Sequence, residues 1–424
     1  MKSFLSKHLP NLDSQIWILA FGRLLNEVGT GFTLFYAPIF FVNQIGLSAT
    51  SVGIALGSHS ISGVVGRIMG GSLADSPSWG RRRTLLCSAA ISAVGSLVLA
   101  ATNSFVILVI GNLINGLGIG LYWPATEAVV SDLTNQENSR EAFAITRFAD
   151  NIGLGLGIVL AGVLVARTAS YRLLFVIDGV SFIVFFGVIY VAIKQNRNYA
   201  FSNSSSTLQP TASWKSALKD NRLLIFVVVN IVFTTYISQL HSTLPVYFSK
   251  FIQVSDGYNK GFTETTISAL FTWHLVVAII AQLPVARLMK RLSHSVALTV
   301  SALSWAMGFI CIWVTGISSV YSIVWAALSL FLFALAIVSY TPSASALVSE
   351  IAPSDQRGIY FSINSLCWAA GYLIGPPLGG LALDQSQFII NSFWLILAAS
   401  VILTIAILRY LNHLLSREVK IRQK

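Results

Sequence analysis

Long apolar runs alternate with short polar segments along almost the whole chain. A helix that crosses a bilayer needs roughly 20 mostly apolar residues. Twelve runs reach this length: 15–43, 49–74, 84–102, 104–131, 141–166, 173–194, 222–250, 263–289, 294–316, 319–349, 356–382 and 388–411. The segments between them are mostly shorter than about 12 residues, which leaves no room for a separate soluble domain. The pattern therefore predicts an all-α membrane protein with twelve transmembrane helices.

Composition agrees with this prediction. The chain has 424 residues, of which 55% are hydrophobic and only 10% charged, and its mean hydropathy is +0.73. A soluble domain carries about 25% charged residues. A soluble fold of this composition would expose large apolar patches and aggregate. The composition excludes a soluble enzyme, a nucleic-acid-binding domain and a disordered tail protein, and indicates the lipid bilayer as the surroundings of the chain.

Lysine and arginine residues predict the orientation. If the N-terminus is cytoplasmic, 20 of the 27 basic residues fall on inner segments, 4 on outer segments and 3 within spans. Positive residues concentrate on the cytoplasmic side of membrane proteins. We therefore expect both termini in the cytoplasm, in the cytoplasmic (inner) membrane of a bacterium; an organellar membrane stays open.

A polar connection and an internal repeat divide the chain into two halves. Residues 195–221 hold a serine-rich stretch typical of a flexible linker, with a short helix around Trp214 or a plain loop beside it. The predicted units are therefore a six-helix bundle at 1–194, a linker at 195–221 and a second six-helix bundle at 222–424. Five positions recur at an offset of 218 residues: Pro124 and Pro342, Asp132 and Glu350, Gly153 and Gly371, Gly157 and Gly375, Gly162 and Gly380. Two repeated bundles are typical of transporters that rock about a central site.

The connection after the second run carries a recognisable motif. It reads Gly71-Ser-Leu-Ala-Asp75-Ser-Pro-Ser-Trp-Gly80-Arg-Arg-Arg. With the two-bundle repeat, this loop resembles the signature of the major facilitator superfamily, and the chain resembles this superfamily over nearly its whole length. The branch that it looks most like is that of the drug:proton antiporters. The resemblance implies that Asp75 contacts the start of span eleven, at 354–357, and that this contact breaks as the bundles rock.

A glycine-proline segment in span eleven extends the resemblance. It reads Gly371-Tyr-Leu-Ile-Gly375-Pro-Pro-Leu-Gly-Gly380. The copy in span five has Ile158 in place of the proline, and Asn112 stands where antiporters of the family carry arginine in span four. The resemblance assigns a conformational switch to thirteen residues: Gly71, Asp75, Gly80, Arg81, Arg82, Asp132, Arg140, Glu350, Arg357, Gly371, Gly375, Pro376 and Gly380.

Ionisable side chains inside two spans are the main candidate chemistry. Arg23, Asn26 and Glu27 share one face of span one, and Arg147, Asp150 and Asn151 share one face of span five. Charged groups inside a membrane are costly and indicate function or pairing. One interpretation is a proton-coupling cavity, with a carboxyl group that changes protonation as the site changes sides. The other is structural: closed pairs Arg23–Glu27 and Arg147–Asp150.

Further polar and aromatic residues are weaker candidates for a substrate cavity: Asn112, Asn115, Trp123, Tyr236, Gln239, His241, His274, Tyr340, Asn364, Trp368 and Tyr372. The two histidines are proton carriers or satisfied hydrogen-bonding groups. Glu127 is a gate or loop contact, or it faces the substrate. We expect structural roles for Asp178 and Arg67.

These patterns predict a secondary active transporter that works by alternating access. The first prediction is proton-coupled export of a small amphipathic molecule. The alternatives are proton-linked or facilitated uptake of a small hydrophilic metabolite, and a membrane sensor that does not transport. A phosphate-binding loop and metal-ligand spacings are absent from the sequence, so we expect no enzyme activity, cofactor or metal. We expect protons and a small molecule as partners, no nucleic acid, and a monomer.

Overall fold

Twelve long helices make up this computed structural model, which describes residues 12–76, 78–134, 139–193, 215–252, 261–289, 292–318, 321–353 and 357–422. Helices α1 to α6 are Ser14–Leu34, Ala49–Asp75, Gly80–Ala100, Phe105–Asp132, Ser139–Thr168 and Arg172–Ala192. Helix α7 covers Asn221–His241 and, after a break, Thr243–Lys250. Helices α8 to α12 are Glu264–Met289, His294–Ile317, Ser322–Ile351, Arg357–Leu383 and Gln387–Arg422. The described residues hold no strand, which confirms the all-α class.

Two of the predicted runs are interrupted where proline enters them. Helix α1 ends at Leu34, four residues before Pro38, and is followed by a short helix at Tyr36–Ile39 and a π-helix at Phe40–Gln44. The first part of α7 ends at His241, four residues before Pro245. Proline removes one helical N–H and its ring clashes with the carbonyl four residues earlier. The single runs predicted at 15–43 and 222–250 are therefore each broken near one end.

Contacts divide the chain into two compact units. The first comprises residues 1–37 and 58–207, and the second residues 38–57 and 208–424. Helix α2 passes from one unit to the other, because its first two turns cluster with the second unit. Most of the predicted linker, residues 195–214, lies outside the described residues.

Each unit packs its helices in the same pattern. In the first, α1 packs on α5 and α6, and α3 packs on α4 and α6. In the second, α7 packs on α11 and α12, and α9 packs on α10 and α12, which is the same arrangement six helices later. Glycines allow the close approaches: the backbone of Gly31 lies against Gly157, and that of Gly66 against Gly120. The helical repeat read from the sequence is thus a repeat of packing.

The surface of the helices suits lipid. Among the described residues, eleven helices are long and apolar enough to cross a membrane. Helix α1, which contains Arg23 and Glu27, is the twelfth long helix. Large apolar side chains such as Ile68, Val191, Phe388 and Ile402 are exposed on the protein surface. Surfaces of this kind are stable in hydrocarbon and aggregate in water.

Candidate functional site

The core of the candidate site is an ion pair between α1 and α5. Arg23 donates from Nε to Asp150 Oδ1 at 2.9 Å and from Nη2 to Asp150 Oδ2 at 2.5 Å. The Arg23 side chain is 1% exposed. Two parallel, charge-assisted hydrogen bonds fix both the distance and the orientation of the groups. The hydroxyl of Thr126, on α4, lies 3.5 Å from Arg23 Nη1 and ties a third helix to the pair.

A second ion pair lies on the same side of the first unit. Arg147 Nη2 donates to Glu127 Oε1 at 2.7 Å, and both side chains are about half exposed. The ring of Trp123 lies between the two arginines, 5.7 Å from Arg23 Cζ and 4.9 Å from Arg147 Cζ. The closed pairs Arg23–Glu27 and Arg147–Asp150 were wrong as pairings, because both arginines reach acids on another helix.

Glu27 belongs to neither of these two ion pairs. Within the described residues, its carboxylate makes no hydrogen bond or ion pair, although Asp150 and Arg23 are close enough to act on it. Its Cβ lies against Gly153 of α5, where a larger residue would collide. Next to it, the buried Asn26 Oδ1 has no hydrogen-bond partner in the described part of the chain. Asn151 is exposed.

A further acid, Asp178, is buried beside α1. Asp178 of α6 accepts a hydrogen bond from Ser96 Oγ at 2.6 Å, and Asn115 donates to the same Ser96 Oγ at 3.2 Å. Gly29 of α1 packs against Asp178. Asn112 donates to the carbonyl of Leu108 in its own helix, at 2.9 Å. The predicted residues Asn112 and Asn115 thus make contacts within the helix core, separate from Arg23.

In the second unit, a polar network joins three helices. Asn230 of α7 donates to Asn364 Oδ1 of α11 at 2.8 Å and accepts a hydrogen bond from the hydroxyl of Tyr340 on α10. Trp368 lies beside Tyr340, with ring centroids 6.2 Å apart, and stacks on Tyr372 at 6.4 Å. The structure therefore brings four predicted cavity residues together around Asn230.

His241 extends this network along α7. Its Nδ1 and the hydroxyl of Tyr372 are 2.6 Å apart. The other predicted residues of the second unit have different hydrogen-bond partners. His274 Nδ1 is 2.9 Å from the Leu330 carbonyl, Gln239 donates to the Gly375 carbonyl at 2.8 Å, and Tyr236 packs among aromatic rings with its hydroxyl 2.6 Å from Ser400 Oγ. Those three side chains contribute to helix packing.

The predicted switch loop centres on Arg81. Arg81 forms an ion pair with Asp132, at the end of α4, and donates to the carbonyl of Ala128 at 2.8 Å. Asp75 lies 3.8 Å from Arg81 and is 75% exposed. Gly80 has φ of +79°, a conformation that glycine adopts at no steric cost. Arg82 donates to the carbonyl of Tyr190 at 2.6 Å, and a Cβ on Gly71 would meet open space.

The second bundle repeats this arrangement with other residues. His294 Nε2 lies 3.8 Å from Glu350, the repeat partner of Asp132. Gly371 and Gly375 pack against Thr234 and Ser238 of α7. The carbonyl of Pro376 contacts Gly53, and Gly380 contacts the backbone of Ala49. The side chains of Arg140 and Arg357, and residues 354–356, lie outside the described residues.

Comparison with known proteins identifies the family. The sequence profile of the Major Facilitator Superfamily matches residues 19–259 and 254–423. The chain belongs to this superfamily. The resemblance inferred from the switch loop and the glycine-proline segment is thereby confirmed, and the protein is a membrane transporter.

Relatives within the superfamily have diverse named functions. The chain is 24% identical over 385 residues to a Na(+), Li(+), K(+)/H(+) antiporter of Planococcus maritimus, covering 84% of this chain and 87% of the relative. It is 25% identical over 416 residues to the glucose transporter GlcP of Staphylococcus epidermidis, covering 90% and 91%. It is 21% identical over 289 residues to the quinolone resistance protein NorA of Staphylococcus aureus, covering 63% and 72%. These relatives thus include an antiporter, a glucose transporter and a quinolone resistance protein.

A solved structure shares the fold. The crystal structure of the nucleoside transporter NupG aligns with a TM-score of 0.80 at 14% identity, covering 94% of this chain and 99% of that one. At this identity the likeness shows the fold alone. Among the described residues, no group of three or more potential metal ligands comes together.

Two contacts of the site were missed from the sequence. Glu127 was considered only as a gate or substrate contact, and nothing in the local pattern indicates its pairing with Arg147, 20 residues away. Asn230 is not among the predicted cavity residues; the signal for it in the sequence is that it shares a face of α7 with His241.

Proposed function

We propose that this transporter exports a small amphipathic molecule, with a cationic group, in exchange for protons. The observation that supports this most directly is the unpaired Glu27 beside the Arg23–Asp150 pair. The Arg23–Asp150 and Arg147–Glu127 ion pairs are each neutral, so an ionised Glu27 beside them adds one uncompensated negative charge in low-dielectric surroundings. Such a charge is costly. A proton or a cationic ligand removes that cost.

Exchange follows if a proton and a cationic ligand compete for the Glu27 carboxylate. A ligand cation near an ionised Glu27 is stabilised, and protonation of the carboxylate removes that attraction. Because one carboxylate serves both, the proton and the cation bind in turn. The Arg23–Asp150 pair keeps its own charges balanced and positions α1 against α5. In this proposal Arg23, Asp150 and Asn26 position the site, and Glu27 binds the proton.

Aromatic side chains suit the apolar part of the substrate. Trp123 lies in the first unit, and Trp368 and Tyr372 stack in the second. Flat aromatic faces attract cations and apolar rings alike. His241, Tyr340 and Asn364 would supply hydrogen bonds. We propose that these residues take part in substrate selection.

Alternating access would connect the two halves. We propose that bundles 1–194 and 222–424 rock about the site, joined by the linker 195–221, and that Asp75 and Arg81 work in the inner switch. The antiporter and quinolone-resistance relatives support the exchange reading. We place both termini in the cytoplasm on the distribution of basic residues.

Uptake of a hydrophilic metabolite is the second candidate function. The 25% identical glucose transporter supports it, since that relative covers 90% of this chain. Asn112, at the position where antiporters of the family carry arginine, also favours this reading. The two functions differ in the ligand that binds and in the effect of pH.

Ligand-induced stabilisation distinguishes the two. A ligand that binds only the folded protein stabilises it in proportion to RT ln(1 + [L]/Kd). We would measure the unfolding temperature of purified protein with lipophilic cations, sugars, amino acids and organic anions, at about pH 6 and about pH 8. Export predicts stabilisation by lipophilic cations, stronger at the higher pH, and loss of this pH difference in Glu27→Gln. Stabilisation by a hydrophilic metabolite alone, equal or stronger at the lower pH, contradicts export.

A matched control is available on α5. Glu141 lies in the first turn of that helix and is exposed. The substitution Glu141→Gln makes the same chemical change as Glu27→Gln away from the ion pairs. It should leave the pH difference intact. If both substitutions remove the difference equally, Glu27 is not the proton site.

A further inference from the structure

The N-terminus of α2 is capped by an acid more than 330 residues later in the chain. Asp384 follows the last residue of α11. Its Oδ1 accepts a hydrogen bond from the backbone N–H of Ala49 at 2.9 Å, and its Oδ2 accepts one from the N–H of Thr50 at 2.8 Å. The first N–H groups of a helix have no partner within the helix and carry partial positive charge. A carboxylate is well suited to satisfy both.

The chain already supplies a local cap at this helix start. Ser48 Oγ accepts a hydrogen bond from the N–H of Ser51 at 3.1 Å, as an N-cap residue does. Asp384 therefore adds to a helix that has its own cap. The addition ties α2 to α11, since the two groups belong to different helices.

The backbones of α2 and α11 are also in close contact below this cap. A Cβ on Gly53 would collide with the carbonyl of Pro376, and one on Gly57 would lie 2.9 Å from the carbonyl of Leu373. A Cβ on Gly380 would collide with the backbone of Ala49. The cavity left between these segments and α7 measures about 10 Å³. That volume is at the lower limit for one water molecule.

A further hydrogen bond joins segments at the same end of the unit. Asn43 Nδ2, after the break in α1, donates to Ser249 Oγ of α7 at 3.1 Å. Residues 38–57 come from the first repeat, yet they cluster with the helices of the second. The contacts that hold them there are therefore contacts between repeats.

We infer that Asp384 is a latch that holds the first turns of α2 on the end of α11 and closes this end of the transporter. Asp384 is a positioning residue: it acts on the equilibrium between closed and open states, through the helix terminus. The inference rests on the proposed alternating access, and on the proposed orientation this end faces outward. When α2 separates from α11, Ser48 can still cap the helix, so the latch can open without leaving every terminal N–H unsatisfied.

The charge state of the latch supports a permanent role at neutral pH. Burial raises the pKa of Asp384, but hydrogen bonds from the hydroxyls and N–H groups of residues 48–50 outweigh this and lower the pKa below its usual range. The carboxylate therefore stays ionised at the pH values in which a cell membrane works.

Accessibility of a cysteine behind the latch tests the inference. Val52 is 2% exposed and lines the small cavity between α2 and α11. In the variant Val52→Cys, we would measure the initial rate of labelling by a membrane-impermeant maleimide in intact cells, with the parent protein as the blank for the three native cysteines. The variant Gln385→Cys, at an exposed position, gives the reference rate for an open site.

The latch predicts that Asp384→Ala increases labelling at position 52 by about fivefold, the factor expected from the loss of one helix cap. Asp384→Asn, which keeps one acceptor oxygen, should give a smaller increase. The matched control Gln385→Ala, one residue further along the loop, should leave the rate unchanged. Equal labelling in Asp384→Ala and its parent overturns the inference.

A change on the other helix covers the case in which Asp384→Ala does not fold. Ala49→Pro deletes one of the two donated N–H groups at a helix position where proline is tolerated. It should also increase labelling at position 52, and an unchanged rate contradicts the latch. Labelling needs no substrate and no pH gradient, so the two tests are independent. An unchanged labelling rate would contradict the latch without contradicting proton-coupled export, and a negative transport result would contradict export without contradicting the latch.

Discussion

Arg23 and Asp150 face each other across α1 and α5 and share two hydrogen bonds, of 2.9 and 2.5 Å. The guanidinium is almost fully buried, and among the described residues Asp150 is the carboxylate that accepts its hydrogen bonds. The pair explains why two ionisable residues are tolerated at this depth. It also leaves Glu27 as the acid of this cluster that has no ionic partner among the described residues.

Removal of one member of the pair should destabilise the fold. Asp150→Asn leaves the Arg23 charge buried and unpaired, and such losses typically cost about 3–5 kcal/mol. The expected result is a clearly lower thermal unfolding temperature in detergent. The double variant Arg23→Met with Asp150→Leu removes both charges and should recover most of that stability. A single variant as stable as the wild type would contradict the buried pair.

The exposed pair should behave differently. Arg147 and Glu127 are each about half exposed, and exposed ion pairs typically contribute under about 1 kcal/mol. Glu127→Gln should therefore lower the unfolding temperature much less than Asp150→Asn does. The same unfolding experiment measures both variants. An equal decrease in unfolding temperature for the two substitutions would contradict the expectation that the buried pair contributes more stability than the exposed pair.

Glu27→Gln should remove the pH dependence of transport and leave the protein folded. The side chain has no ion pair to lose, so glutamine replaces it at small structural cost. Initial transport rates measured across a pH series check this expectation. An unchanged pH profile in Glu27→Gln, with Glu141→Gln as its control, would remove Glu27 from the coupling site.

The ionised Asp220 carboxylate should stabilise the fold, and this contribution should be lost at acid pH. It caps the start of α7 and accepts hydrogen bonds from Arg222 at 2.9 Å and from Tyr360 Oη at 2.8 Å. Burial raises its pKa, but these hydrogen bonds outweigh burial and lower it. A carboxyl group whose pKa is lower in the folded state stabilises the fold fully at pH values above its pKa in the unfolded state, which is about 3.9. This stabilisation is lost as the pH falls through the pKa of the folded state. The difference in unfolding temperature between wild type and Asp220→Asn should be constant near neutral pH and shrink below about pH 4.

Asp75→Asn should slow turnover without weakening substrate binding. Asp75 is 75% exposed, and its contact with Arg81 is long, at 3.8 Å. Arg81 forms its closer ion pair with Asp132. Loss of the Asp75 charge therefore leaves the loop anchored and removes a contact made by the switch. Transport rate and ligand-induced stabilisation, measured side by side, test this. A loss confined to affinity would contradict the switch assignment.

The helices were predictable because the bilayer imposes a strong rule. Every buried backbone group in hydrocarbon must be satisfied within a helix, so apolar runs translate almost directly into spans. The repeat at offset 218 likewise predicted the shared packing pattern, since Gly153 and Gly371 occupy equivalent contacts. The breaks before Pro38 and Pro245 follow from proline chemistry, although the apolar runs continue across both.

The partners of charged residues were not predictable in the same way. Residues on one helix face are neighbours by spacing, which suggested Arg23 with Glu27. The observed partner, Asp150, lies on another helix, and which helices touch is decided by tertiary packing. The contact between Asp384 and the start of α2 has no signal in the local sequence, because the acid and the N–H groups are 334 and 335 residues apart.

Proton movement in proteoliposomes tests the central claim most directly. Vesicles that contain purified protein and a trapped pH-sensitive dye would receive a gradient of a lipophilic cation, and the internal pH would be followed with time. Exchange predicts that protons move against the cation in wild-type and Glu141→Gln vesicles, and that Glu27→Gln vesicles show no such movement. Proton movement of the same size in Glu27→Gln vesicles, or its absence in wild-type vesicles with every lipophilic cation that stabilises the protein, would contradict the account.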